Sequence, residues 1–157
     1  MSGVGGEGAE VPEVIKPIAN LVKEVDVMKP GRVVAVIEPE DVPKAYAALR
    51  DHYGETGLYF STLVATDLKD EGRFRIDYYV NVLAKNQYVV LRTHVPRDNP
   101  KLPSILPETP AALPGECEAY DVLGIVFEGN PHLRRAFFVP EEVAEKGIFP
   151  LRKDAGV

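Results

Sequence analysis

Apolar residues Val14, Ile18, Leu21, Val22 and Val25 recur at helical spacing between Glu13 and Val25. The spacing predicts a short amphipathic helix with Pro17 tolerated near its first turn, ended by Lys29-Pro30-Gly31. RVVAVIE, from Arg32 to Glu38, is nearly all apolar and β-branched, as a strand buried on both faces would be. Val42, Tyr46, Leu49 and Tyr53 then share one face of a second helix. Asp41 is placed to cap it, Pro43 sits in its first turn, and Gly54 stops it. His52 suits the last turn, where a cation favours the helix C-terminus. Three strands follow: 58–66, a half-buried strand in which Phe74, Ile76, Tyr78, Val80 and Val82 alternate with polar positions, and 88–95. Asp70-Glu71-Gly72 and Lys85-Asn86 supply the turns between them.

This order of elements implies an α+β fold, a two-layer domain with a mixed β-sheet and helices on one face, followed by an extended C-terminal tail. Residues 1–12 are Gly-rich and acidic and are expected to be disordered. Residues 13–95 form the domain. Between Pro96 and Gly115 the chain carries six prolines and little periodicity, so 96–115 reads as an extended linker. Residues 116–157 have too many Gly, Pro and charged positions for an ordinary core element. They also have too many aromatic and branched residues for disorder.

Composition narrows the chemistry. A chain of 157 residues can bury roughly 70 per cent of its unfolded surface, enough for a real core. A net charge of -6 argues against nucleic acid as the main partner, because phosphate binding draws on clustered positive charge. One cysteine, Cys117, excludes an internal disulfide and any cysteine-ligated iron–sulfur cluster or structural zinc held by this chain alone. No window approaches the ~20 apolar residues of a spanning helix, so membrane association is expected only through partners.

Candidate catalysts are weak. Glu116 and Glu118 resemble an acid/base pair with Asp121 as a third carboxylate, yet nothing defines a cleft or a substrate position; pairing with arginines or backbone amides is the favoured reading. His52, His94 and His132 lie far apart and show no paired ligand spacing, which disfavours a metal site built on Glu116, Glu118 and His132. Cys117 is flanked by two carboxylates that should raise a thiol's pKa. GVGGEG follows no strand, so it is poor support for phosphate binding. What the tail offers instead is paired cations, Arg134-Arg135 and Arg152-Lys153, around Phe137, Phe138, Val139, Ile148 and Phe149. Arginines and aromatics together are the usual anchors of a protein interface.

The run Glu116, Glu118, Asp121, Gly124-Ile125, Phe127-Glu128-Gly129, Pro131, Leu133-Arg134-Arg135, then Pro150-Leu151-Arg152-Lys153-Asp154 resembles the 30 kDa subunit family of respiratory complex I, including its membrane-bound nickel-iron hydrogenase relatives. The resemblance implies a non-catalytic subunit of the hydrophilic arm of an ion-pumping membrane oxidoreductase, on the cytoplasmic side of the membrane. Such a subunit binds no cofactor itself; iron–sulfur clusters, and nickel-iron in the hydrogenase type, belong to its partners. It implies as partners the large catalytic subunit and the small iron–sulfur subunit. It also makes Glu116, Glu118, Asp121, Phe127, Gly129, Pro131, Arg134, Arg135, Phe137, Phe138, Pro150, Arg152, Lys153 and Asp154 partner-binding residues. Cys117 stands where the family usually has arginine, its tryptophan before the glutamates is missing, and its Gly-His-Pro-Asp reads Gly129-Asn130-Pro131-His132. These departures favour a hydrogenase-type or ferredoxin-linked complex over a NADH:quinone oxidoreductase, with a free-standing soluble adaptor as the alternative of another class.

Overall fold

The computed structural model describes residues 11–29 and 31–156. Five strands form the main sheet: β1 (Val22–Lys29), β2 (Arg32–Ile37), β3 (Leu58–Leu68), β4 (Arg73–Val82) and β5 (Gln87–Pro96), in the spatial order β1-β2-β5-β4-β3. β3, β4 and β5, the three strands expected from the sequence, form an antiparallel meander, and β2 joins β5 in parallel, which makes the sheet mixed. The β2-to-β3 connection runs through helix α1 (Val42–Tyr53), which ends as expected at Gly54 with φ +82°. Gly54 donates its N–H to the Arg50 carbonyl at 2.7 Å, closing the last turn.

The period-2 reading of β4 holds residue by residue. Phe74, Ile76, Tyr78, Val80 and Val82 are all buried on one face. They join Val33, Ala35 and Ile37 of β2, Leu58, Phe60 and Leu63 of β3, and Val42, Ala45, Tyr46 and Leu49 of α1 in one apolar cluster. The α+β architecture, with helices on one face of a mixed sheet, is therefore the observed one.

Three expectations fail, each for a physical reason. The helix expected over Glu13–Val25 is a 3-10 helix over Glu13–Leu21 followed by strand β1. Pro17 lacks the N–H that an α-helical interior needs, and Val22–Lys29 pairs antiparallel with β2, so that Val25 faces Ala35 across the ladder. Asp41 makes no capping hydrogen bond: a 3-10 turn over Pro39–Asp41 runs directly into α1, and its backbone is already helical. Residues 96–115 are not a linker. Strand β6 (Lys101–Pro103) pairs in parallel with β7 (Val126–Glu128), and Leu102, Ile105 and Ala112 are fully buried in the main cluster. The boundary drawn at 116 falls inside helix α2 (Leu113–Leu123). Proline hid this helix: Pro110 opens a 3-10 turn and Pro114 occupies the first turn of α2, where its missing N–H costs nothing. Of the terminus expected to be disordered, residues 1–10 lie outside the described residues, while Val11 packs against the core.

Candidate partner interface

Helix α2 organises everything that follows it. On one turn stands Glu116, fully buried, which accepts hydrogen bonds from Ser104 Oγ at 2.6 Å, from the Ile105 N–H at 2.9 Å and from Asn130 Nδ2 at 2.9 Å. It thereby ties the proline-rich stretch and the Gly129-Asn130-Pro131 turn to the helix. Burial outweighs those three donors and raises its pKa above 4.5. Asn130 Oδ1 in turn accepts the His132 N–H at 2.8 Å.

Asp121 is also fully buried and gathers donors from a single later stretch. Arg135 Nε donates at 3.1 Å, and the N–H groups of Ala136, Phe138 and Val139 donate at 2.9, 2.6 and 2.8 Å. Burial alone would raise its pKa, but these four donors hold it below the ordinary 3.8. Ala136 adopts φ +62°, a left-handed conformation that bends the chain around the carboxylate. Arg135 also donates to the Ile148 carbonyl and stacks 4.1 Å from the Phe149 ring centroid.

A second clamp fixes the following residues. Leu151 donates its N–H to the Val122 carbonyl at 3.1 Å, and Arg152 Nε donates to the Leu123 carbonyl at 2.8 Å. Gly124 makes this approach possible, because at φ +83° a Cβ there would lie 3.0 Å from the Arg152 guanidinium and 3.1 Å from the Phe149 ring. Arg97 spans Asp67 and Asp154, donating to Asp67 at 2.8 and 2.9 Å and to Asp154 at 2.6 and 3.0 Å. Asp67 accepts the Lys153 N–H at 2.8 Å as well. Arg97 holds the Asp154 carboxyl down from 3.8 to about 2, and the Asp67 carboxyl is likewise lowered.

The sequence-predicted residues thus divide. Glu116, Asp121, Phe127, Arg135, Arg152 and Asp154 meet partners or packing inside the chain: the acceptor for Arg135 is Asp121, and Arg152 binds a carbonyl of α2. Glu118, Gly129, Pro131, Arg134, Phe137, Phe138 and Lys153 are exposed, and Pro150 is half-buried. Three of the exposed ones converge. The Phe137 and Phe138 rings lie 4.7 Å apart at 39% and 50% exposure, and the Arg134 guanidinium stands 5.0 Å above the Phe137 ring. Asp121 positions this cluster through the amides beside it.

The Arg97–Asp67–Asp154 clamp lies outside the sequence pattern, in which the strand ends at residue 66 and Asp67 falls just beyond it. One signal was available: Asp67 shares the inward face of β3 with Leu63 and lies opposite the buried Phe74, so a carboxylate there demands a cation. Cys117 is buried, its Sγ 3.7 Å from the His132 carbonyl. Burial first and the Glu116 charge second push its thiol pKa up, away from nucleophilic use. No group of three or more His, Cys, Asp or Glu side chains is arranged to hold a metal ion among the described residues.

Residues 35–157 match the family described as respiratory-chain NADH dehydrogenase, 30 Kd subunit. Chloroplastic subunit J of the NAD(P)H-quinone oxidoreductase of Chaetosphaeridium globosum is 36% identical over 122 residues, 75% of this chain and 68% of its own length. The membrane-bound hydrogenase subunit beta of Pyrococcus furiosus is 41% identical over 66 residues, covering 42% of this chain and 37% of that protein. A chain of the membrane-bound sulfane sulfur reductase, an archaeal respiratory membrane complex, has the same fold: TM-score 0.75 over 90% of this chain and 80% of that one, at 19% identity.

Proposed function

The chain belongs to the 30 kDa subunit family of the respiratory-chain NADH dehydrogenase and is a subunit of a complex I-related assembly, and we propose that its part there is structural: it holds the large catalytic subunit. The single observation that carries this reading is the Arg134–Phe137–Phe138 cluster. Two half-exposed phenylalanines and a guanidinium stand together on backbone that Asp121 fixes in advance. Preorganised aromatic and arginine side chains bind with little further loss of conformational freedom, which is what an interface anchor requires.

The small iron–sulfur subunit is the second partner in this reading. Iron–sulfur clusters, and nickel-iron where present, belong to those neighbours and not to this chain. No helix among the described residues is long and apolar enough to cross a membrane. We read the association as peripheral, through the complex, and place it on the cytoplasmic side. The membrane-bound hydrogenase relative supports a hydrogenase-type or ferredoxin-linked complex. The longer match to a quinone oxidoreductase subunit favours the second reading, a NADH:quinone enzyme.

Co-purification tests the holding role. An affinity-tagged chain carrying Arg134→Ala, Phe137→Ala and Phe138→Ala together should recover the large subunit at least tenfold less well than the parent. Its circular dichroism and urea midpoint should stay unchanged, because none of the three side chains enters the main core cluster. Undiminished recovery would end the reading. Nickel analysis of the parent complex separates its two forms, with nickel expected for the hydrogenase type.

A further inference from the structure

The main sheet ends on two edges of opposite character. β1, VKEVDVMK, carries the charged residues Lys23, Glu24, Asp26 and Lys29, and its register against β2 slips twice. Charges and bulges on an outer strand are what keep another chain from pairing with it. β3, LYFSTLVATDL, has eleven residues, one register shift, between Phe60 and Thr62, and a single charge, Asp67. That carboxylate is already taken by Arg97 and by the Lys153 N–H. β3 stands last in the strand order and pairs only with β4.

Register decides which backbone groups this leaves free. Leu83 donates its N–H to the Gly57 carbonyl, and in an antiparallel ladder hydrogen-bonded pairs recur at every second residue. On β4 they fall at Asn81, Tyr79, Asp77 and Arg75, whose partners on β3 are Tyr59, Thr62, Val64 and Thr66. Leu63 and Ala65 therefore turn their N–H and C=O away from β4, and among the described residues no backbone group of another element hydrogen-bonds them. A groove follows this edge. Residues 62–65, in unbroken succession, form one wall; Glu118 and Val122 of α2, with Leu151, form the other. A strand's face would offer alternate residues only, so the unbroken run marks its rim. Gly115 lets the helix lie this close, since a Cβ there would stand 2.9 Å from the Leu63 Cβ.

Apolar surface and charge define the occupant. Val64 and Leu151 are 43% and 60% exposed beside the free edge. Glu118 is exposed on the helical wall and forms no ion pair among the described residues. A second hollow continues along the strand at Leu58, Tyr59 and Phe60; there Glu55 is likewise exposed and unpaired, while Arg50 is held by Glu108. We propose that β3 is the seat of an added strand. An extended segment of a partner subunit pairs its main chain with Leu63 and Ala65, lays apolar side chains against Val122 and Leu151, and meets Glu118 with a lysine or arginine. A second copy of this chain fits poorly, because two β3 edges paired about a two-fold axis would bring like glutamates together in a chain of net charge -6. The inference rests on the subunit reading for the complex in which it is tested, and it uses none of the Arg134–Phe137–Phe138 cluster.

Amide exchange of the full chain, alone and in its complex, tests this when read residue by residue by mass spectrometry. The Leu63 and Ala65 amides should exchange fast in the isolated chain and at least tenfold more slowly in the complex. Slow exchange in the isolated chain would mean that the edge is already occupied, and equal rates would mean that nothing pairs there; either overturns the proposal. Ala65→Pro deletes one outward donor and no ladder bond. The isolated variant should keep the parent's circular dichroism and urea midpoint, while Leu63 in the complex returns to fast exchange. Leu63 protection that survives the proline means burial without main-chain pairing and overturns the added strand. Glu118→Lys leaves the backbone untouched; it should speed Leu63 exchange in the complex at least tenfold, and Glu118→Asp should not. No response to the reversal overturns the basic partner. Protection that grows with concentration in the isolated chain identifies a second copy as occupant and also overturns it. Unprotected Leu63 and Ala65 in a complex that still holds the large subunit would sink this inference alone and leave the holding role standing.

Discussion

Asp121→Asn isolates the residue on which the C-terminal stretch depends. The amide keeps one acceptor oxygen but turns an NH2 toward backbone N–H groups, and it leaves the Arg135 guanidinium, itself only one-fifth exposed, without its counter-charge. Breaking one side of such a buried pair costs about 3 kcal/mol or more. Urea unfolding should show that loss, and amide exchange at Phe138 and Val139 should accelerate first. A midpoint within error of the parent would mean that the four donors find other acceptors. Nothing in the sequence separated Asp121 from Glu118, three residues earlier on the same helix. The two differ only in which side of α2 faces the protein, and that is decided by Leu123, Ala119 and Cys117 going inward. The arginine pair was misleading for a related reason: neighbouring residues in an irregular segment point opposite ways, so Arg135 turns to Asp121 while Arg134 turns to solvent.

Elements with a clean period were legible, and elements built around proline were not. β4 declares itself because one face is buried and the other is not, so every second residue must be apolar. β6 has only three residues, the last of them Pro103, and its partner β7 lies more than twenty residues further on; no periodicity survives at that length. Its worth shows in energy instead. Leu102 is completely buried between the main cluster and Phe127 on the paired strand. Leu102→Ala should therefore destabilise the fold by roughly 2–5 kcal/mol, the range for a cavity left in a close-packed interior. Chemical denaturation measures it directly. A loss below about 1 kcal/mol would mean that the stretch behaves as the linker its composition suggested.

Across the whole molecule the buried carboxylates oppose one another in pH. Glu116 has a raised pKa, so its contribution to stability is full below its ordinary value and is lost as pH rises through the raised one. Asp67, Asp121 and Asp154 have lowered values. What they contribute is present above the ordinary 3.8 and disappears as pH falls through the lowered ones, for Asp154 through about 2. The urea midpoint should climb as pH drops through the raised Glu116 value toward the ordinary 4.5, and fall again as pH drops below the ordinary 3.8 of the aspartates. Glu116→Gln should remove the climb and keep the fall; a parent profile that is flat on the alkaline side contradicts the assignment. One contributor to the acid limb is the clamp between Asp67 and Lys153, which joins positions 86 residues apart. During synthesis the Asp67 carboxylate leaves the ribosome long before the amide it is to receive, and closing so large a loop gains nothing until α2 and Arg97 are in place. The Arg134–Phe137–Phe138 cluster, ordered by the nearby Asp121, lies after every strand of the main sheet in the chain, so a growing chain completes its sheet sequence before that cluster is made.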